Sequence, residues 1–374
     1  MSYSPAGGAN SSGSERRSSV VREACSSPDA RIDALALSLV PRVGARAHWE
    51  RSQACGSAAH AFTVTVPAGQ RPRLRDEAAR IARDGDACGA RLLLREDADY
   101  PPPLLELYDP PPYLFVLGNL GLLARPTVAI VGTRRATAYG ERTTDAIATA
   151  LATAGACVVS GMARGIDAAA HRAALRSRGV TVAVLGTGVD VAYPVAHRSL
   201  HRAIVERGLV LSEFPCGSRA APASFPRRNR IIAALARLTL VIEAGDRSGA
   251  LITADHAMDL GRDVGAVPGP VDSPQCVGSN RLIQTGAHAV LDSGDALSLM
   301  GLADPASRST DISASLSGDE RVVWLALAAG ATALDTLTEL TALAPSRALA
   351  AVTVLELGGL IETLPSGEVR RRRG

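Results

Sequence analysis

Val128-Ala129-Ile130-Val131-Gly132-Thr133-Arg134-Arg135 decides the fold. Four apolar residues run into a glycine bend, and the segment from Glu141 to Ala154 that follows has helical spacing. A buried parallel strand feeding a helix leaves backbone N–H groups and the positive end of the helix dipole facing the turn, so the turn reads as a phosphate site. A dinucleotide fingerprint would place Gly at its first, third and sixth positions and an acidic residue at the end of the second strand. Here Arg134 stands two residues after Gly132, and Cys157-Val158-Val159-Ser160-Gly161 ends without a carboxylate. A Walker loop needs Lys, and the chain has none: all 40 basic residues are Arg. The turn therefore offers guanidinium groups, which grip phosphates in a bidentate fork and stack on bases.

Working outward, the same alternation continues. Apolar strands are expected at Val180 to Leu185, Leu209 to Glu213, Leu238 to Glu243, Asp263 to Val267 and Ala287 to Leu291, with helical stretches such as Ile166 to Arg178 and Ala250 to Leu260 between them. Continuous apolar strands joined by crossover helices imply a doubly wound, mainly parallel α/β sheet covered on both faces, spanning residues 128–299. Ligands of such sheets bind at the carboxyl ends of the strands.

The flanks differ in composition. Residues 1–30 are polar and glycine-rich, a tail expected to be disordered. Residues 31–96 read as a small helical module, in which two short helices around a V-x-x-V-G turn have the outline of a helix-hairpin-helix, whose turn can hold a phosphate; with one degenerate copy, a packing module is the preferred reading. Residues 97–127, with Tyr100-Pro101-Pro102-Pro103 and Asp109-Pro110-Pro111-Pro112-Tyr113, form a Pro-rich strap, within which Leu114 to Gly118 is expected as an edge strand. Residues 300–317 are a linker rich in Ser, Asp and Ala. Residues 318–374 read as three helices and a Gly-turned hairpin, a winged helix; its tail, Arg370 to Arg373, leaves contact with a nucleic-acid backbone or plain solvation open.

At 374 residues the chain has room for two or three domains. No apolar run approaches the roughly 18 residues of a membrane span, so no membrane association is expected. The net charge of +3 does not announce nucleic acid, and any such binding must come from clustered Arg. Its six cysteines show no C-x-x-C pair and no His at zinc spacing, so neither a metal nor a cofactor is expected. Scattered thiols and the absence of a secretory signal pattern suggest a cytoplasmic protein.

Three features fall at strand ends of the one sheet. Gly132, Thr133, Arg134 and Arg135 form the first, and Gly161 and Arg164 lie in the second, Ser160 to Asp167. The third is Phe225, Arg227, Arg228, Asn229 and Arg230, joined by Arg247, Ser248 and Gly249. An aromatic face beside forked cations is the combination that holds unpaired bases and their phosphates. Each has a plainer reading: Arg134 in a salt bridge, Phe225 in the core, Asn229 capping a helix that begins at Arg230.

V-A-I-V-G-T-R-R-x-T-x-Y-G, V-V-S-G-M-A-R-G-I-D-x-x-A-H, A-V-L-G-T-G-V-D-x-x-Y-P, L-S-E-F-P, F-P-R-R-N-R-I-I-A, V-I-E-A, R-S-G-A-L-I-T-A, G-R-D-V-x-A-V-P-G and N-R-L-I-Q-x-G-A follow one another from Val128 to about Asp292. Together they resemble the DprA/Smf family. The resemblance implies an extended Rossmann-like domain that dimerises, and a protein that binds single-stranded DNA taken up in natural transformation, protects it and helps load the RecA recombinase. It implies a DNA-binding pocket at Arg134 and the Phe225 to Arg230 stretch, with Gly132, Gly161 and Arg164 lining the same surface. His197 stands where that family has Asn, Gly265 where it has an aromatic, and Ala234 and Ala236 where it has Gly and Ser.

No catalytic residue is expected. Asp167 and His171, four apart, could pair as acid and base, but a helix-start Asp and a packed His explain them. Glu213 and Glu243 end strands near Arg-rich loops that they can orient. Two other classes remain: a phosphoribohydrolase-like enzyme that cleaves nucleotides, whose P-G-G-x-G-T-x-x-E segment is missing here, and a nucleotide-sensing regulator using the same pocket.

Overall fold

The computed structural model describes residues 27–302, 316, 318–330, 332–364 and 367–371. Residues 1–26 of the expected disordered tail, and 303–315 and 317 of the expected linker, lie outside the described residues. The chain divides into two compact units, Met1–Leu302 and Ala303–Gly374.

The first unit opens with four helices: α1 (Pro28–Ser38), α2 (Ala45–Cys55), α3 (Ala58–Thr65) and α4 (Arg71–Ala87). Helix α1 begins inside the segment read as tail, because Pro28 takes the first helical position and Ser27 Oγ accepts the Ala30 N–H at 3.2 Å. Gly56, at φ 83°, ends α2 in the left-handed region. In the turn between α1 and α2, Val43 N–H donates to Val40 O at 3.0 Å and His48 N–H to Gly44 O at 2.9 Å. Leu35, Leu37 and Phe62 of these helices share one core with Ala183 and Val210 of the sheet, so the helices pack directly on it.

The sheet has nine strands: β1 (Arg91–Leu94), β2 (Tyr113–Gly118), β3 (Thr127–Val131), β4 (Cys157–Ser160), β5 (Val180–Val184), β6 (Leu209–Ser212), β7 (Leu238–Val241), β8 (Asp263–Ala266) and β9 (His288–Ala289). Their order is β1-β2-β6-β5-β4-β3-β7-β8-β9. From β6 to β9 every pairing is parallel, and β2 joins β6 antiparallel. The expected edge strand at Leu114 to Gly118 is therefore an interior one: β1, a run of Arg-Leu-Leu-Leu, pairs along its outer side, and Tyr113 to Val116 are all buried. The last strand is shorter than its apolar run, two residues in place of Ala287 to Leu291.

Crossover helices α5 (Ala138–Thr153), α6 (Ile166–Arg176), α7 (Arg198–Arg207), α8 (Ser224–Leu235), α9 (Gly249–Asp259), α10 (Val277–Gln284) and α11 (Ser293–Leu299) complete the unit. Alternate strand residues feed two faces. Val128, Ile130 and Val158 pack with Ile147 and Leu151 of α5, whereas Ala129, Val131 and Val159 pack with Ile231 and Leu235 of α8 and with Tyr100 and Leu104 of the strap. At Gly265, where the resemblance implies an aromatic, Leu240 and Val290 have closed in: an added Cβ would lie 2.8 and 2.9 Å from their methyl groups.

The second unit is a winged helix: α12 (Gly318–Ala326), β10 (Thr332–Ala333), α13 (Leu334–Thr341), α14 (Pro345–Leu357), β11 (Ile361–Thr363) and β12 (Glu368–Arg371), with sheet order β10-β12-β11. Val323, Trp324, Leu337, Val352 and Ile361 form its core. Two residues of the Arg tail are engaged within it. Arg370 pairs with Glu362 at 2.7 Å, and Arg371 lies 4.3 Å over the Trp324 ring. Arg372 and Arg373 lie outside the described residues. Among the described residues no single helix is long and apolar enough to cross a membrane.

Two buried imidazoles give the fold a pH dependence. Burial, reinforced by Arg95 at His48 and by Arg228 at His171, pulls both down to about 3. The native state thus binds fewer protons than the unfolded chain, so the stability from these neutral rings is complete above about pH 6.5 and is lost as pH falls towards about 3. The limiting slope is about 1.4 kcal/mol per pH unit per ring. Urea unfolding at neutral and mildly acidic pH is expected to show this loss, and His171→Leu to shrink the difference between the two.

Candidate nucleic-acid interface

The order β6-β5-β4-β3-β7-β8-β9 reverses direction at β3, where the chain, having laid β4, β5 and β6 on one side, crosses to β7 on the other. Loops leaving β3 and β7 must diverge there, and a crevice opens at their carboxyl ends. A cavity of about 770 Å³ occupies it, lined by Gly132 to Arg135, Phe225, Arg228, Asn229 and Arg247 to Gly249, with Tyr193 on its wall. A second recess of about 280 Å³ shares Arg134, Arg135, Tyr193, Phe225 and Arg228, and adds Gly161 and Arg164. Twelve of the fourteen sequence-proposed residues thus surround one open space.

Its walls are set by backbone packing. Thr133 N–H donates to Glu243 O at 2.7 Å and Thr133 O accepts from Ile166 N–H at 3.3 Å, which clips three strand-end loops together. Thr137 caps α5 by accepting the Gly140 N–H at 3.1 Å, and Ser248 caps α9 by accepting the Ala250 N–H at 3.3 Å. The α9 start opens on the cavity through Ser248 and Gly249. Arg134, Arg135, Arg164 and Arg247 are exposed, and among the described residues none of them makes an ion pair. The Arg134 guanidinium lies 5.1 Å over the Phe225 ring, and the Phe225 and Tyr193 rings are 5.5 Å apart. The crevice thus combines free cationic forks with two neighbouring aromatic faces.

Arg227 and Arg230 do not join it, although the sequence groups them with Arg228. The run Phe225 to Arg230 lies in the first turns of α8, not ahead of a helix beginning at Arg230, so the helical twist sends its arginines in different directions. Arg230 is buried, with its Nη2 2.6 Å from Glu213 and its Nη1 donating to Asp109 O at 3.0 Å. Arg227 is 3.3 Å from the same carboxylate and over the Phe214 ring. Arg228 turns inward to the cavity floor, donating to Val184 O at 2.5 Å and facing Asp167; burial lowers its pKa to about 10. Asn229 does not cap: its Nδ2 donates to Gly249 O at 3.0 Å and ties α8 to the α9 loop.

The glycines serve packing. A Cβ on Gly132 would lie 2.6 Å from Ile166 Cγ1, and one on Gly161 would overlap the Arg228 guanidinium, so both positions admit neighbouring protein atoms. The carboxylates are similarly committed. Both Glu243 oxygens accept from Thr137, at 3.0 Å from its N–H and 2.5 Å from its hydroxyl. Asp167 accepts from Gly161 and Ala163 N–H groups at 3.2 and 3.3 Å, and burial raises its pKa. His171 meets Thr181 Oγ1 at 2.7 Å. Because the Thr181 hydroxyl donates to Val158 O, the imidazole Nδ1 is the donor of that pair. Gly140 abuts the Glu243 carboxylate, so Gly140→Ala is expected to displace it and lower stability by about 1–3 kcal/mol, read as a drop in the melting midpoint.

Sequence reasoning missed Tyr193, Pro222 and Ile252 on the wall. Tyr193 sat in view within V-D-x-x-Y-P, an aromatic in the long loop after β5; only its partial exposure and its contact with Phe225 mark it as more than core.

The fold and crevice define a Rossmann-like α/β protein with an open, arginine-lined strand-end site and a winged-helix unit. The chain belongs to the DprA/Smf family: residues 91–301 match the family described as DNA recombination-mediator protein A, and residues 306–367 match the DprA winged helix domain. It is 38% identical over 320 residues to Protein Smf of a Synechocystis strain, covering 75% of this chain and 80% of that protein. It is 44% identical over 259 residues to the putative DNA processing protein DprA of Mycobacterium tuberculosis, covering 67% of each. The solved DprA of Streptococcus pneumoniae is similar at a TM-score of 0.58 and 34% identity, covering 75% of this chain and 97% of that one. DNA processing protein A of Helicobacter pylori, solved for its single-stranded DNA binding mode, is similar at a TM-score of 0.52 and 30% identity, covering 56% and 96%.

Proposed function

We propose that this protein binds single-stranded DNA across the β3–β7 crevice without cleaving it. The observation that carries this reading is the set of four exposed arginines, free of ion pairs among the described residues, around two adjacent rings. Arg134, Arg135, Arg164 and Arg247 hold successive phosphates, helped by N–H groups at the start of α9, while bases stack on Tyr193 and Phe225. Gly132, Thr133, Gly161, Arg228, Asn229, Ser248 and Gly249 shape the crevice rather than supply charge to the strand.

Family membership supports the wider reading: the protein shields DNA entering by natural transformation and helps load RecA onto it, acting as a homodimer in the cytoplasm. No residue is assigned to the RecA or dimer contacts. Fluorescence anisotropy with labelled oligo(dT) tests the core of the proposal. Saturable binding that weakens as salt rises is expected, with little competition from a nucleoside monophosphate. Competition by the mononucleotide as effective as by oligo(dT) would favour a nucleotide sensor.

A further inference from the structure

Away from the crevice, Cys88, Asp190 and Cys216 meet from three separate parts of the chain. Cys88 follows the last residue of α4, Asp190 lies in the loop after β5, and Cys216 lies in the loop after β6. Their two Sγ atoms and a carboxylate oxygen all lie within 4.8 Å of one another. The carboxylate is held in place: Gly217 N–H lies 2.9 and 3.0 Å from its two oxygens, and Gly217 adopts φ 78°. Gly188 leaves no room for a side chain beside it, since a Cβ there would lie 2.6 Å from Asp190 Oδ1. Cys88 and Asp190 are exposed and Cys216 is half-buried, so an ion can reach the cluster from solvent.

We propose that Cys88, Asp190 and Cys216 form a binding site for a thiophilic divalent cation of the zinc class, with water as the fourth ligand. Two sulfurs and one carboxylate oxygen, fixed by a backbone N–H behind the carboxylate, are a donor set that suits tetrahedral Zn²⁺. A carboxylate beside two thiols is also what distinguishes this cluster from a bare redox pair. Because the ligands are contributed at positions 88, 190 and 216, no C-x-x-C spacing announces them. A bound cation fastens the loop that carries Tyr193 to the loop after β6 and to the end of α4.

The test uses the full chain, reduced and stripped of metal with a chelator, then titrated with Co²⁺ alone. One cobalt per chain with a sulfur-to-cobalt charge-transfer band is expected, displaced by Zn²⁺. Cys88→Ser with Cys216→Ser abolishes the band, and Asp190→Asn weakens binding roughly tenfold or more. Cys55→Ser leaves it unchanged. Zn²⁺ raises the melting midpoint of the wild type but not of the double variant, whose own cooperative melt shows that it is folded. Lack of a band in the reduced wild type, a band that survives in the double variant, or ready air oxidation of Cys88 to Cys216 in a chain that binds no cobalt would each overturn the proposal.

Discussion

Arg134→Ala combined with Arg247→Ala lowers the affinity for oligo(dT) about a hundredfold while leaving the melting midpoint close to that of the wild type. Both side chains are exposed and free of ion pairs among the described residues, so their loss leaves no buried charge behind. Each is expected to supply a charge-assisted phosphate contact of about 1.5 kcal/mol, together about 3 kcal/mol. The salt dependence carries a second signature: with two cations fewer, the slope of log affinity against log salt becomes shallower by about 1.4. Phe225→Ala acts differently, removing about 1–3 kcal/mol of stacking with the slope preserved. Affinity titrations at several salt concentrations separate the two effects, and an unchanged slope in the arginine variant counts against phosphate contact by these residues.

The opposite pattern is expected for Arg230→Ala, which destabilises the fold by about 3–5 kcal/mol. Arg230 and Glu213 are both buried and 2.6 Å apart, with Asp109 at 3.5 Å and burial lifting the Glu213 pKa despite its cationic neighbours. Truncating the arginine strands Glu213 with only the exposed Arg227 at 3.3 Å. Arg230→Met with Glu213→Leu, which removes both charges, recovers most of that loss. Urea denaturation measures it, and oligo(dT) binding by whatever fraction stays folded is expected to match the wild type. A large affinity loss in a fully stable Arg230→Ala protein would return that residue to the interface.

Arg230 also shows where sequence reading runs out. The sheet was legible because buried parallel strands are unbroken apolar runs, and the crevice followed from where such strands end. The turn Gly132 to Arg135 could be placed because it directly follows β3, and the segment Arg247 to Gly249 because it lies in the loop that leaves β7. The R-R-N-R run could not, because one residue of helix turns a side chain by about 100°. With the helix start at Ser224 instead of Arg230, Arg227, Arg228 and Arg230 part company: surface pair, cavity floor and buried salt bridge. The inner position of β2 was hidden for another reason. Its partner β1 is four residues long and carries an Arg, too short a signal to separate from the helix before it. The Cys88, Asp190 and Cys216 cluster had no local signal at all, since only the tertiary fold brings the three together.

Ultraviolet crosslinking of oligo(dT) to the full-length protein, with the adducts located by peptide mass spectrometry, tests the central claim most directly. The account predicts thymine adducts on Tyr193 and Phe225 that fall away as salt rises and the DNA dissociates. Adducts confined to residues 318–371 of the winged helix, with both crevice rings unmodified, would contradict it.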